Sequence, residues 1–248
     1  MRKVWDGHKY PAFDNQRESF ENASGEKLPS FTFSPSLFEK PERNKHYDIR
    51  KEHRTILFLP IGPKEWSGFE NTYKKESASP DTDVFVMPIP LLFKDYFGRI
   101  KMTDEEIVAA TKSANYPANL PIISWLDTDL EKLNPDIIYI QSPYDDKNPV
   151  LIIPEYFFSK NLIQLTQKLV YIPIAQTSEF TNIDVTDQVN MKFYVTMPAL
   201  FYTDEVWVQS ENIKEQYINK LSSFSGENSM KYWDDKIKTV PDLYDQTP

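Results

Sequence analysis

Five short runs of apolar residues punctuate an otherwise mixed chain: Ile56–Leu59, Val84–Met87, Ile137–Ile140, Leu169–Ile172 and Val206–Val208. Each is continuous. Alternation marks a strand with one wet face, whereas an unbroken run suits a strand covered on both faces, as in a parallel sheet. Four runs meet a proline within three residues, at Pro60, Pro88, Pro143 and Pro173. Proline lacks the N–H that a ladder needs, so it marks where a central strand stops. The pattern predicts an α/β, Rossmann-like domain with a mostly parallel wound sheet. Ligands of such sheets bind beyond the carboxyl ends of the strands, which directs attention to the loops after each run.

The connections carry helix signals. Ser67 reads as an N-cap with Glu70 as its capping-box partner, for a helix to about Lys75. Residues 94–120 read as an insertion holding a helix from Met102 to Ala114, with acidic residues in its first turn. Asp127 to Leu133 is a short helix stopped by Asn134-Pro135, and Ser159 to Gln167 another. Residues 176–190 read as a polar loop. Ser210 caps a helix from Glu211 to Leu221, and Tyr232 to Ile237 adds a turn or two. Residues 1–53 are polar, with scattered aromatics, and read either as an extended arm or as a disordered leader. The expected division is the arm, a domain over 54–238, and a tail or start of an interdomain linker over 239–248.

Charge sharpens the picture. The chain carries a net −9, which argues against nucleic acid as a partner. Residues 1–55 hold a net +2, so the remainder is the acidic part. There is no cysteine, which removes disulfides, thiolate catalysis and zinc–cysteine sites. No stretch approaches the length of an apolar membrane span. The composition is compatible with the cytoplasm.

Several chemistries lack their residues. Neither GxGxxG nor GxxxxGK[ST] occurs, and only Gly62 follows the first run closely. The three histidines, His8, His46 and His53, all precede the first run, so no strand-end nucleophile–base pair is evident. Carboxylates remain. Asp145 and Asp146 follow the third run beside Tyr144, and two adjacent acids can bind a metal or sugar hydroxyls; alternatively Asp145 closes an Asx-turn. Trp66 can be a stacking platform or a core residue. Ser210 can cap its helix or help hold an anion.

Taken in order, Leu57-Phe58-Leu59-Pro60 with Trp66 and Glu70, Pro88-Ile89-Pro90, Pro135 to Ile140 with Pro143-Tyr144-Asp145, Tyr171-Ile172-Pro173 and Val208-Gln209-Ser210-Glu211 resemble the CDP-glycerol glycerophosphotransferase-like family of Gram-positive bacteria, related to teichoic-acid polymerising enzymes. The resemblance covers roughly residues 54–240. It implies the N-terminal, acceptor-side half of a two-domain GT-B glycosyltransferase. It also implies a separate C-terminal half holding the nucleotide, and a cell-envelope glycan or glycerol-phosphate acceptor. The family's pattern has histidine and asparagine before Pro-Tyr-Asp, where this chain has Gln141 and Ser142. The acceptor surface is expected to be lined by Lys64, Trp66, Glu70, Tyr144, Asp145 and Gln209, with no catalytic residue assigned, no cofactor and no metal. Work at the inner face of the membrane follows from such an acceptor, and the domain alone is expected to bind without turnover. Two other readings stand beside this one. One is a non-catalytic binding or assembly module for a separate transferase half. The other is a small stand-alone enzyme using Asp145 and Asp146 with a divalent metal.

Overall fold

The computed structural model describes Arg43 and residues 53–174, 190–191 and 193–244. The arm over 1–53 lies outside these residues except for Arg43 and His53, and so does the loop over 176–190 except for Asn190. In chain order the strands are β1 Arg54–Leu59, β2 Thr82–Val86, β3 Leu92–Phe93, β4 Ile137–Ile140, β5 Leu151–Ile152, β6 Lys168–Tyr171, β7 Glu205–Val208 and β8 Ile237–Thr239. The α-helices are α1 Glu70–Ser77, α2 Asp104–Ala110, α3 Leu130–Leu133, α4 Ser159–Leu162, α5 Pro198–Tyr202, α6 Glu211–Ser225 and α7 Met230–Lys236.

All five apolar runs are neighbouring strands of one sheet, in the order β2-β1-β4-β6-β7-β8. Every neighbouring pair is parallel. The fold is therefore an α/β, Rossmann-like one. Continuity of the runs has the physical cause inferred for it. Leu57, Leu59, Ile138, Ile140, Leu169 and Tyr171 enter one core cluster, together with α4–α7 residues such as Leu162, Leu200, Tyr217 and Trp233. Ile56, Phe58, Tyr139, Val170 and Ile172 enter the other, with Trp66 and Phe69. On that second face Phe58 stacks on Tyr139, its register partner, with ring centroids 4.7 Å apart.

Parallel strands have no tight turns to set their register, and here side chains do so at the amino ends. Asp136, just before β4, is buried. Its N–H donates to the Thr55 carbonyl (2.7 Å), and its carboxylate accepts from the Thr55 N–H (2.7 Å) and from Gln167 Nε2 (3.0 Å). Its carbonyl accepts from the Lys168 N–H (3.0 Å) and from Thr166 Oγ1 (2.9 Å). One residue thus joins β1, β4 and β6. Asp204 repeats the device before β7, accepting from the Leu169 N–H (2.8 Å) and from the Arg43 guanidinium (2.6 Å). Arg43 Nε also donates to the Thr166 carbonyl (2.7 Å).

Several local expectations need correction. Ser67 caps nothing: its hydroxyl donates to the Lys64 carbonyl inside a 3-10 turn over Lys64–Gly68, and α1 begins after Phe69 with no side-chain cap. The helices expected at Met102–Ala114, Asp127–Leu133 and Ser159–Gln167 shrink to α2, α3 and α4. The α2 helix keeps a complete capping box between Thr103 and Glu106, and Ser210 caps α6 through the Ile213 N–H. Two features went unforeseen: β8 at the sheet edge, and an antiparallel pair of β3 with β5. Beyond β8, Leu243 is buried and Tyr244 donates to the Pro173 carbonyl (2.7 Å), so 240–244 pack on the domain.

Asp136→Ala should lower unfolding free energy by about 2–4 kcal/mol in urea titration, because it leaves the Thr55 N–H and the Gln167 amide without their charged acceptor. Asp136→Asn, which keeps one acceptor oxygen, should lose less.

Candidate functional site

The strand order reverses between β1 and β4, whose chains leave toward opposite sides of the sheet. That switch point is where an open α/β sheet ordinarily forms its ligand crevice. Here the crevice is filled. The 3-10 turn Lys64–Gly68 lies over it, and Gln141, the first residue after β4, is fully buried with Nε2 donating to the Glu65 carbonyl (2.7 Å). A Cβ on Gly68 would lie 2.8 Å from the Ile174 carbonyl oxygen and 2.9 Å from Gln141 Nε2. Glycine is needed there for close approach. The carboxyl ends of β1, β4 and β6 are thereby closed over one another. Gln141 Oε1 and the Tyr116 hydroxyl are buried without a hydrogen-bond partner. Burial, and secondarily the Glu65 charge, push the Tyr116 pKa up.

Trp66 belongs to the core. It is 5% exposed, and its ring meets Phe58, Phe69 and Tyr73 edge-on at centroid distances of 6.4, 6.4 and 5.4 Å. A stacking platform needs an open face, and this indole has none. Lys64 is exposed at the head of the turn. Glu70 opens α1 and pairs with Lys74 one turn on (3.0 Å).

Asp145 is also committed inward. It is 3% exposed and its backbone is left-handed (φ 46°), which a short polar side chain tolerates. Its carboxylate accepts from the Ser159 N–H (2.8 Å) and from Ser159 Oγ (2.7 Å), so it serves as the missing cap of α4. Burial raises its pKa to about 6 against the pull of those hydrogen bonds. The side chain is buried and each oxygen takes a hydrogen bond from Ser159, so the carboxylate faces the start of α4 rather than solvent. Asp146 instead pairs with Lys147 (3.2 Å). Among the described residues no group of three or more His, Asp or Glu side chains is placed to hold a metal.

Tyr144 turns elsewhere. It is half-buried and lines an open groove of about 520 Å³ with Phe93, Lys147, Val150, Phe193 and Met197. Desolvation raises its hydroxyl pKa. Gln209 follows β7 and is buried beside the α6 cap, two strands from β4. All six expected residues therefore follow carboxyl ends of parallel strands or the turns next to them. The contact across the switch point is made by Gln141, which sequence reasoning noted only as a departure from a pattern. The groove's Phe93, Phe193 and Met197 were missed because they come from connections that the strand pattern does not index.

No family model matches the chain, and no curated protein matches it. A solved structure of UDP-N-acetylglucosamine 2-epimerase is similar at TM-score 0.34 and 9% identity, covering 68% of this chain and 45% of that one. The chain thus spans less than half the length of that neighbour. Among the described residues no helix is long and apolar enough to cross a membrane.

Two expectations follow. Trp66→Ala should cost about 3–5 kcal/mol of stability, the range of a buried tryptophan, measured by urea unfolding. For Asp145, a folded pKa above the unfolded one means that its contribution is best below the unfolded value near 3.8 and is lost as pH rises through about 6. The stability of the wild type relative to Asp145→Asn should therefore fall between pH 4 and pH 7, by on the order of 2–3 kcal/mol, and stay level above.

Proposed function

We propose that this domain is the acceptor-side half of a GT-B-type transferase of the CDP-glycerol glycerophosphotransferase-like kind, acting in cell-envelope glycan or teichoic-acid synthesis. The observation that carries the reading is the ordered set of strand-end motifs, from Leu57-Phe58-Leu59-Pro60 to Val208-Gln209-Ser210-Glu211. Its acceptor surface is the Tyr144 groove. There the aromatic side chains offer faces for a sugar or glycerol unit, and Lys147 and Asn148 offer polar contacts to a phosphate-bearing one. Lys64 extends that surface along the carboxyl edge, whereas Trp66, Glu70, Asp145 and the buried Gln209 act as its frame. The donor nucleotide belongs to a separate C-terminal half. The working place is the cytoplasmic face of the membrane, where such an acceptor is anchored.

A second reading is favoured by one specific observation: no histidine occurs after His53 and the chain has no cysteine, so the carboxyl-edge loops hold neither a Cys–His nor a Ser–His pair. On that reading the domain binds or assembles and never catalyses.

Incubated with CDP-glycerol, with or without magnesium, the chain alone should release no CMP. Holding donor and acceptor together is worth roughly 7–11 kcal/mol of barrier lowering, and one half cannot provide it. Glycerol-phosphate oligomers should bind weakly, and Tyr144→Ala should weaken them by about 1 kcal/mol in calorimetry. Turnover by the purified chain would overturn the half-domain reading; equal binding by Tyr144→Ala would overturn the groove.

A further inference from the structure

Between β3 and α2 the chain makes a turn whose apex is Tyr96-Phe97. Tyr96 is 97% exposed and Phe97 77%. An adjacent pair of aromatic rings this open is unusual on a surface that has no use for them. The apex is also rigidly built. Asp95 Oδ1 accepts from the N–H groups of Phe97 and Arg99, each at 2.9 Å, and Asp95 Oδ2 pairs with the Arg99 guanidinium at 2.8 Å. The Asp95 N–H donates to the Arg99 carbonyl (2.8 Å), and Gly98 takes the left-handed conformation (φ 79°) that closes the turn. The Arg99 guanidinium lies over the Phe97 ring at 5.1 Å, and the two apical rings meet edge-on at 5.5 Å. The rings are held outward before any partner arrives, so little ordering remains to oppose docking.

The flanks have the chemistry of a lipid headgroup layer. Lys94, Arg99 and Lys101 lie within eight residues of an otherwise acidic domain; Arg99 is paired with Asp95 and the half-buried Lys94 lies near Asp146, which leaves Lys101 as the exposed cation of the rim. Phe93 (48% exposed) and Val150 (53% exposed) continue the apolar surface behind the apex, joined where the Lys94 N–H donates to the Val150 carbonyl (2.8 Å). Aromatic rings with a polar or cationic rim partition to the boundary between headgroups and acyl chains. The exposed Asp104 and Glu105 of α2 oppose an anionic surface, so the rings must supply most of the attraction.

We propose that the Tyr96-Phe97 tip is an interfacial anchor that docks this domain on an anionic bilayer. The two rings enter the headgroup boundary while the exposed Lys101 faces the lipid phosphates. β3 and β5 also line the Tyr144 groove, through Phe93 and Leu151, so docking at the tip brings the groove to the bilayer surface. The anchor is independent of the transferase reading, because neither the tip nor its cations belong to the proposed acceptor contacts.

The test uses the full chain and vesicles of phosphatidylcholine with and without phosphatidylglycerol. The wild type should co-sediment with the phosphatidylglycerol vesicles. Tyr96→Ser with Phe97→Ser should cut that partition about tenfold or more, the value of losing buried aromatic area. Lys101→Gln should cost about fivefold on anionic vesicles alone. Phe224→Ser, which removes an exposed ring from α6, should change nothing. Since the chain has no cysteine, Tyr96→Cys gives a unique thiol for an environment-sensitive dye, whose emission should shift to the blue on vesicle addition. Wild-type protein that stays in the supernatant with every vesicle, or a double variant that binds equally well, would overturn the anchor. So would self-association that the double variant abolishes in the absence of lipid binding.

Discussion

The seam between β1 and β4 is the contact on which the rest of this domain depends, and it is fastened at both ends. At the amino end the buried Asp136 carboxylate takes the Thr55 N–H, while its backbone reaches both β1 and β6. At the carboxyl end Gln141 reaches across to the Glu65 carbonyl. Between them Phe58 lies flat on Tyr139. Parallel strands are joined by long crossovers, so nothing local in the chain fixes their relative height. A slip of one residue would turn each side chain to the wrong face. The clamp at Asp136 and the stacked pair each hold only in the observed register.

Closing the carboxyl end has a cost in available sites. The switch-point crevice is occupied by the turn over Lys64–Gly68 and by Gly68 against the Ile174 carbonyl. The open surface is displaced outward, to the groove between Tyr144, the β3–β5 pair and the segment leading into α5. A buried aromatic residue and a buried acid, Trp66 and Asp145, support this arrangement from below. Trp66 fills the core under the turn, and Asp145 fastens the start of α4 to the loop after β4.

The sheet was legible because burial on both faces leaves an unambiguous mark, an unbroken apolar run ended by proline. β8 left no such mark: Ile237-Lys238-Thr239 is short, polar at two positions and at the sheet's edge. The site was less legible for a different reason. Sequence order correctly puts Trp66 and Asp145 after strand ends, but position along the chain does not say whether a side chain turns inward or outward. The same Asx-prone residue that could bind a ligand is drawn to an unsatisfied helix start fourteen residues on, at Ser159. Gln141 looked like a lost histidine, yet its amide bonds across the carboxyl end of the switch point to the Glu65 carbonyl.

The tie made by Arg43 bears on how this protein can be dissected. Its guanidinium reaches Asp204 and the Thr166 carbonyl, which belong to the approaches to β7 and β6 in the middle of the sheet. A boundary drawn at the first strand, where composition changes, would sever that tie and take the Arg43 guanidinium away from Asp204 and the Thr166 carbonyl. A boundary that keeps this tie includes residue 43. Proteolytic trimming of the leader past that point should act on the packing between β6 and β7, far along the chain from the cut.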